Sequence, residues 1–172
     1  MSRYIFAGIF AAMIFAAMIP LACNKGGSSV PTSPDSPREM TTAFIDIGDT
    51  SIEGDTLSVT VDYENALDIY ALSFRMGYNP GQLSPVDVTW DEIVSSDDST
   101  FDLLNQHGFV PLAFGKFDGN AGISGNGNLV TVKFNILDGN YESPWIINET
   151  EYLVGKDSTG SRINIMTGGD VL

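Results

Sequence analysis

Between residues 57 and 63 the chain reads Leu-Ser-Val-Thr-Val-Asp-Tyr, apolar at every odd position and polar at every even one. A period of two sends the apolar side chains to one face of an extended strand and the polar ones to the other. The same alternation returns at 70–78, where Leu72, Phe74, Met76 and Tyr78 oppose Ala71, Ser73, Arg75 and Gly77. It returns again where Val86, Val88 and Trp90 oppose Asp87, Thr89 and Asp91. From Thr41 onward no long helical periodicity competes with it. Short runs rich in Val, Ile, Thr, Phe and Tyr are divided by Gly, Asn, Asp and Pro at intervals of roughly 10–15 residues, the pattern of a β-sandwich. Strands are predicted at 43–47, 57–63, 70–78, 86–90, 101–104, 110–114, 129–137, 145–154 and 163–166. Gly54-Asp55, Asn79-Pro80-Gly81 and Asp138-Gly139 supply turns, and a hairpin joins the fifth and sixth runs near His107-Gly108. Residues 119–128 (GNAGISGNGN) read as a glycine-rich loop. The fold class is therefore all-β, a sandwich of about nine strands.

Ahead of this region, residues 1–22 read as an export leader. Arg3 gives a short positive start, residues 4–19 form an unbroken apolar run, and small Ala22 precedes Cys23. The run falls short of the ~20 residues that span a bilayer comfortably, and an uncleaved anchor helix is the alternative. Leu21-Ala22-Cys23 resembles the lipobox of bacterial lipoproteins, in which the cysteine takes a diacylglycerol and the leader is cut just before it. That family usually has Leu three residues before the cysteine. Here Pro20 stands there and Leu21 comes one place late, so a general signal peptide competes. Cys23 is the one cysteine in the chain, which rules out an intramolecular disulfide, and lipidation accounts for a lone thiol at the leader's boundary. Residues 24–39 alternate flexible Gly and Ser with stiffening Pro31, Pro34 and Pro37. The expected organisation is a leader at 1–22, a tether at 23–39 and one domain at 40–172, exported and held to a bacterial membrane through lipid.

The 172 residues include 22 Asp and Glu against 8 Lys and Arg, a formal net charge of −14. That field repels phosphates, so no nucleic-acid partner is expected. Catalytic groups are scarce. His107 is the one histidine, placed in a turn, and a Ser-His-Asp site would have to recruit it. Asp97-Asp98, Asp91-Glu92 and Glu149/Glu151 read as solvated surface charge rather than as a glycosidase pair. Gly119-Asn120-Ala121-Gly122 lacks the Lys-Ser/Thr of a phosphate loop. Asp118-Gly119-Asn120 and Asp157-Ser158-Thr159-Gly160 have a calcium-like composition but neither the spacing nor the closing acid of a loop site, and read as turns. The expectation is no enzyme activity and no resident metal or cofactor. Trp90 reads as core, and Trp145, beside Ile147, stays open between core and a surface that stacks on sugar.

Two segments carry a resemblance. Residues 71–85 (ALSFRMGYNPGQLSP) followed by Val86-Asp87-Val88 are similar to the cohesin pattern of an alternating strand, Tyr-Asp-Pro and a Leu-x-Pro-Val step. Residues 122–134 (GISGNGNLVTVKF) resemble the cohesin segment Gly-Ile-Ser-Gly-Asp-Gly-x-Leu-x-x-x-x-Phe. Gly54-Asp55-Thr56 and Gly168-Gly169-Asp170-Val171 fall where that family has a Gly-Asp turn and a last strand. The resemblance implies a nine-stranded jelly-roll sandwich, related in architecture to carbohydrate-binding modules. It implies a non-catalytic receptor for a dockerin, the calcium-dependent domain carried by polysaccharide-degrading enzymes, so any calcium would belong to the partner. The space between Phe114 and Leu129 holds no sizeable helix, as in the type I form. In the family one sheet face, including the third, fifth, sixth and eighth strands, receives the dockerin. Carried onto this chain, that face includes Ala71, Ser73 and Arg75 of the third strand and Pro111, Ala113 and Gly115 of the sixth, with Arg75 exposed. Cellulosomal cohesins commonly place polar or acidic side chains on the third strand, from which Ala71 and Ser73 depart. Direct binding of polysaccharide and a purely structural role in the envelope are the other readings.

Overall fold

A computed structural model of the protein describes residues 42–168 apart from 95, 105, 106 and 118–120. The leader, Cys23, the tether, Asp118 and residues 169–172 lie outside the described residues. The described chain is an all-β sandwich of two sheets. Its elements are β1 (Ala43–Glu53), β2 (Thr56–Ile69), β3 (Ala71–Gly77), β4 (Leu83–Trp90), β5 (Ser99–Asp102), β6 (Phe109–Gly115), β7 (Ile123–Ile136), β8 (Trp145–Ile146), β9 (Val154–Lys156), β10 (Arg162–Ile163) and β11 (Ile165–Thr167). One sheet runs β11-β1-β2-β7-β4. The other runs β10-β9-β3-β6-β5, with β8 also paired to β3. The nine expected runs become eleven strands because the last two divide. Run 145–154 breaks into β8 and β9 around a turn in which Glu149 O accepts from the Tyr152 and Leu153 amides, at 2.8 and 3.0 Å. Run 163–166 splits at Asn164, so that β10 serves one sheet and β11 pairs in parallel with β1 in the other.

The alternation dictates the core. Leu57, Val59, Val61 and Tyr63 are buried while Ser58, Thr60 and Asp62 face outward. Leu72, Phe74 and Met76 meet them from the opposite sheet, and the Tyr78 and Phe134 rings pack 5.4 Å apart. Gly54 takes φ 60° at the first of two turn residues between β1 and β2, the position where a tight hairpin of this kind calls for glycine.

Four departures from the sequence reading have local causes. β2 does not end at Tyr63 but reaches Ile69 through two bulges, at Tyr63/Ala66 and Ala66/Ile69. Each inserts one residue, Asn65 or Asp68, with positive φ of 52° and 57°, and so returns Ala66 and Ile69 to the core face. The segment 123–128, expected as loop, is the facing end of β7. The Asn65 amide donates to Asn126 Oδ1 at 2.8 Å and the Asp68 amide to Ser124 Oγ at 2.9 Å, which holds the glycine-rich strand in the sheet. A bulge at Pro85/Asp87 turns Val86 out to 42% exposure, whereas Val88 and Trp90 pack on the core as expected. Finally, Asp98 is not surface charge. Its side chain is fully buried and pairs with Lys116 Nζ at 2.9 Å, and Lys116 also donates to the Ile93 carbonyl at 2.6 Å. This buried pair ties the connection between β4 and β5 to the end of β6.

Candidate docking face

Because β3 buries its even positions, Ala71, Ser73, Arg75 and Gly77 project from the other side of the sheet. Antiparallel pairing then fixes their neighbours. Ala71 lies opposite Gly115, Ser73 opposite Ala113, Arg75 opposite Pro111 and Gly77 opposite Phe109. The six residues singled out in β3 and β6 thus form three adjacent cross-strand pairs on one face. β5 extends it, with Ser99 beside Gly115 and Phe101 beside Ala113. On the other flank β9 places Lys156 beside Ala71 and Val154 beside Ser73. The centre is close to bare sheet, since Ala71, Ser73, Ala113 and Gly115 carry at most two heavy side-chain atoms. Phe101, 56% exposed, stands at one side of this flat strip.

Arg75 is not exposed, contrary to what the sequence leads one to expect. It is half-buried, with its guanidinium carbon 3.4 Å from the centroid of the Tyr152 ring and 4.6 Å from that of Phe109. The turn at 149–152 carries Tyr152 back over the sheet, and the Arg75 carbonyl accepts from the Ile147 amide at 2.9 Å, which fixes the start of that excursion. Sequence spacing could not show this contact, because Tyr152 comes from a turn read as strand. Trp145 resolves to the rim: it is 45% exposed and its ring lies against Gly77, where a Cβ would collide with it. The aromatic side chains do not form an open stripe, since Tyr152 is covered by Arg75.

Other candidate groups are not assembled into a site. His107 is exposed in a turn. Asp157 Oδ1 accepts from the amides of Thr159 and Ser161, both at 2.9 Å, and from the Thr159 hydroxyl at 2.6 Å, so it serves its own turn. Among the described residues no group of three or more His, Cys, Asp or Glu is arranged to hold a metal ion. On the opposite sheet Asp46, Asp62 and Glu64 line an open cleft of about 290 Å³.

The sequence profile described as Cohesin domain matches residues 44–167, which include every strand but for the first residue of β1. The chain belongs to the cohesin domain family. Among solved structures, it is similar to the third cohesin of ScaC from Acetivibrio cellulolyticus, solved in complex with the ScaB dockerin and displaying a type I interaction. That likeness has 27% identity and a TM-score of 0.60, over 73% of this chain and 93% of that one. The second type II cohesin module of the ScaA scaffoldin from the same organism superposes with a TM-score of 0.59 at 13% identity, covering 76% and 94%. A non-cellulosomal cohesin from the archaeon Archaeoglobus fulgidus does so with 0.57 at 19%, covering 73% and 86%. These two bear on the fold alone. Comparison with curated protein sequences returns no match. In this cohesin the described part of the connection between β6 and β7 contains no helix.

Proposed function

We propose that this cohesin is a non-catalytic receptor that docks a dockerin-type protein domain on the outer face of β9, β3, β6 and β5, while a lipid on Cys23 tethers it to a bacterial membrane, facing the periplasm or the cell exterior. The observation that carries the reading is the flat strip formed by Ala71, Ser73, Ala113 and Gly115, flanked by Phe101 and by the clamped Arg75. A surface with so few side-chain atoms lets a helix of the partner approach the sheet closely, and the aromatic and Arg neighbours supply anchors of the kind that dominate interfaces. The family's ScaC member was solved with a dockerin, which makes that domain class the first partner to test. A role in polysaccharide degradation follows if the dockerin belongs to a degrading enzyme.

The test is calorimetric titration of the full chain with calcium-loaded dockerin domains, alongside sedimentation with insoluble cellulose, chitin and xylan. Saturable dockerin binding that chelator abolishes, with the receptor's own melting temperature unchanged, is the expected result, since Asp157 already serves its own turn. Retention on a polysaccharide, lost on changing Trp145 to Ala, would move the function to direct sugar binding. That second reading rests on the exposure of Trp145.

A further inference from the structure

Five cationic side chains occur among the described residues: Arg75, Lys116, Lys133, Lys156 and Arg162. Two are already committed. Lys116 is buried against Asp98, and Lys133 reaches Asp87 at 3.1 Å on the outer face of the other sheet. The remaining three project from the same face of the docking sheet. Lys156 lies beside Ala71 of β3 on one side and opposite Arg162 of β10 on the other, and Arg75 stands further along β3. None of these three forms an ion pair among the described residues. By register, no Asp or Glu shares the face of Ala71, Ser73 and Arg75 in β9, β3, β6 or β5; the one carboxylate in these strands, the exposed Asp102 at the end of β5, lies opposite inward-facing Leu112. In a chain of net charge −14 the three cations without an ion pair among the described residues are thus gathered on one sheet face, whose nearest exposed carboxylates are at its margins, Glu149 and Glu151 in the turn over Arg75 and Asp102 at the end of β5.

We infer that the partner meets this face with an acidic protein surface, directing carboxylates at Arg75 and at the Lys156/Arg162 pair while its apolar side chains lie over Ala113 and Phe101. The inference rests on the reading of this face as a docking surface and specifies the chemistry of what docks there. Arg75 is prepared for the role. The Tyr152 and Phe109 rings hold the guanidinium plane, so little side-chain freedom is left to lose when its edge takes a carboxylate in a bidentate contact. Lys156 and Arg162 are exposed, the Arg162 guanidinium donating to the Thr150 carbonyl at 3.0 Å, and they act on encounter rate and orientation more than on final affinity. With cations on the β9 and β10 side and Phe101 on the β5 side, the face has a polarity that fixes which way round the partner sits. A polyanionic sugar chain fits less well, because the strip between the two sides has no groove and no open aromatic platform.

The test uses the full chain in uncharged detergent, followed by amide NMR during titration with a helical Glu-rich peptide and with its Lys-for-Glu counterpart. The acidic peptide is expected to shift the amides of residues 71–77, 154–156 and 162. The shifts should weaken at least about fivefold in the double variant Lys156→Gln/Arg162→Gln and vanish near 500 mM salt, where the Debye length falls below ~5 Å. Shifts of those amides no larger than the basic peptide produces would overturn the inference, as would tighter binding of polygalacturonate than of the acidic peptide. A parallel titration with the ScaB dockerin and with versions carrying added Asp or added Lys on its exposed helices separates the two layers. Peptide shifts at these positions without binding of any dockerin would keep the charge assignment and remove the dockerin. Preference for the Lys-bearing dockerin would keep the docking face and remove the charge assignment. Sedimentation velocity of the chain alone covers one more occupant: self-association abolished by the same double variant would mean that the acidic surface is a second copy's β1/β2 face, and a separate acidic partner would be ruled out.

Discussion

On the outer face of the β11-β1-β2-β7-β4 sheet, polar side chains answer one another. Thr60 and Thr131 sit opposite with hydroxyls 3.4 Å apart, and Lys133 reaches Asp87 across β7 and β4. On the outer face of the other sheet, Ser73 sits opposite Ala113 and Ala71 opposite Gly115, and the cations beside them form no ion pair among the described residues. Both faces arise from the same alternation, with apolar residues inward at every second position. What differs is the choice of outward residue, which burial leaves unconstrained. Long polar side chains in cross-strand pairs finish a surface by satisfying it internally. Small ones beside unpaired charge leave the satisfaction to something else. The contrast supports the proposed docking on the β3/β6 face.

The largest effect expected is structural, and it separates the buried cation of the docking sheet from its displayed ones. Changing Lys116 to Met would leave the Asp98 carboxylate buried without its ammonium and should cost about 3–5 kcal/mol in chemical denaturation. Adding Asp98→Leu should recover much of that loss, because the double change removes both charges. If Lys116→Met melts like the parent, the pair is not buried and Lys116 joins the displayed set. Next in size is a steric test of the two faces. Ala113→Arg on the docking sheet should weaken partner binding by about 100-fold, or ~2.7 kcal/mol. Thr131→Arg, at the corresponding depth on the opposite sheet, should leave titration isotherms unchanged. Equal losses, or a loss only from Thr131→Arg, would move the site off the β3/β6 face.

The alternation that predicts the core also predicts which side of β3 and β6 is outward, so the positions of Ala71, Ser73, Pro111, Ala113 and Gly115 were legible from spacing once the family supplied the face. The bulged ends of β2 and β7 were not. A bulge breaks the period of two by one residue, and a run such as Asn65-Ala66-Leu67-Asp68 then looks like a turn although its amides stay in the sheet. Two pairings across large sequence separations were equally hidden. Asp98 looked like surface charge because its partner lies in another strand's exit, and Arg75 looked free because Tyr152 arrives from a turn. A weak signal existed for the first: with so few cations, each one placed beside a strand end is a candidate for a specific partner.

Arg75 offers a finer test of how the docking face is held. Replacing it with Ala removes a cation stacked on two rings and should lower stability by about 1–2 kcal/mol, more than an exposed arginine would cost. Arg75→Lys keeps the charge but loses the planar stack, and should fall between the two. A double-mutant cycle with Tyr152→Ala should show coupling of about 0.5 kcal/mol or more, whereas strict additivity of melting data would mean that the stack contributes nothing in solution. Such additivity would also remove the argument that Arg75 is prepared for a carboxylate.

The smallest effect belongs to the opposite face, where the pairing is imperfect at one point. Asp62 lies opposite Asp46 across β2 and β1, its Oδ1 is buried without a hydrogen-bond partner, and its carboxyl group occupies the space left by the missing side chain of Gly48. Burial, and then the negative charges of Asp49, Glu64 and Asp46, push its pKa above the ordinary carboxylate value. The folded state therefore holds this proton more tightly than the unfolded chain does. Stability from this group is highest below the unfolded value of about 3.9, declines as pH rises through the raised folded value, and stays reduced at neutral pH. Asp62→Asn abolishes that titration. It should raise the melting temperature at pH 7 by a few degrees at most, and the gain over the parent should shrink as the pH is lowered toward the unfolded carboxylate range. Thermal melts of both proteins across that interval provide the measurement. A lower melting temperature at neutral pH would show that the Asp62 carboxylate is satisfied in solution, by water or a cation, and that the β1/β2 face is as complete as the rest of its sheet.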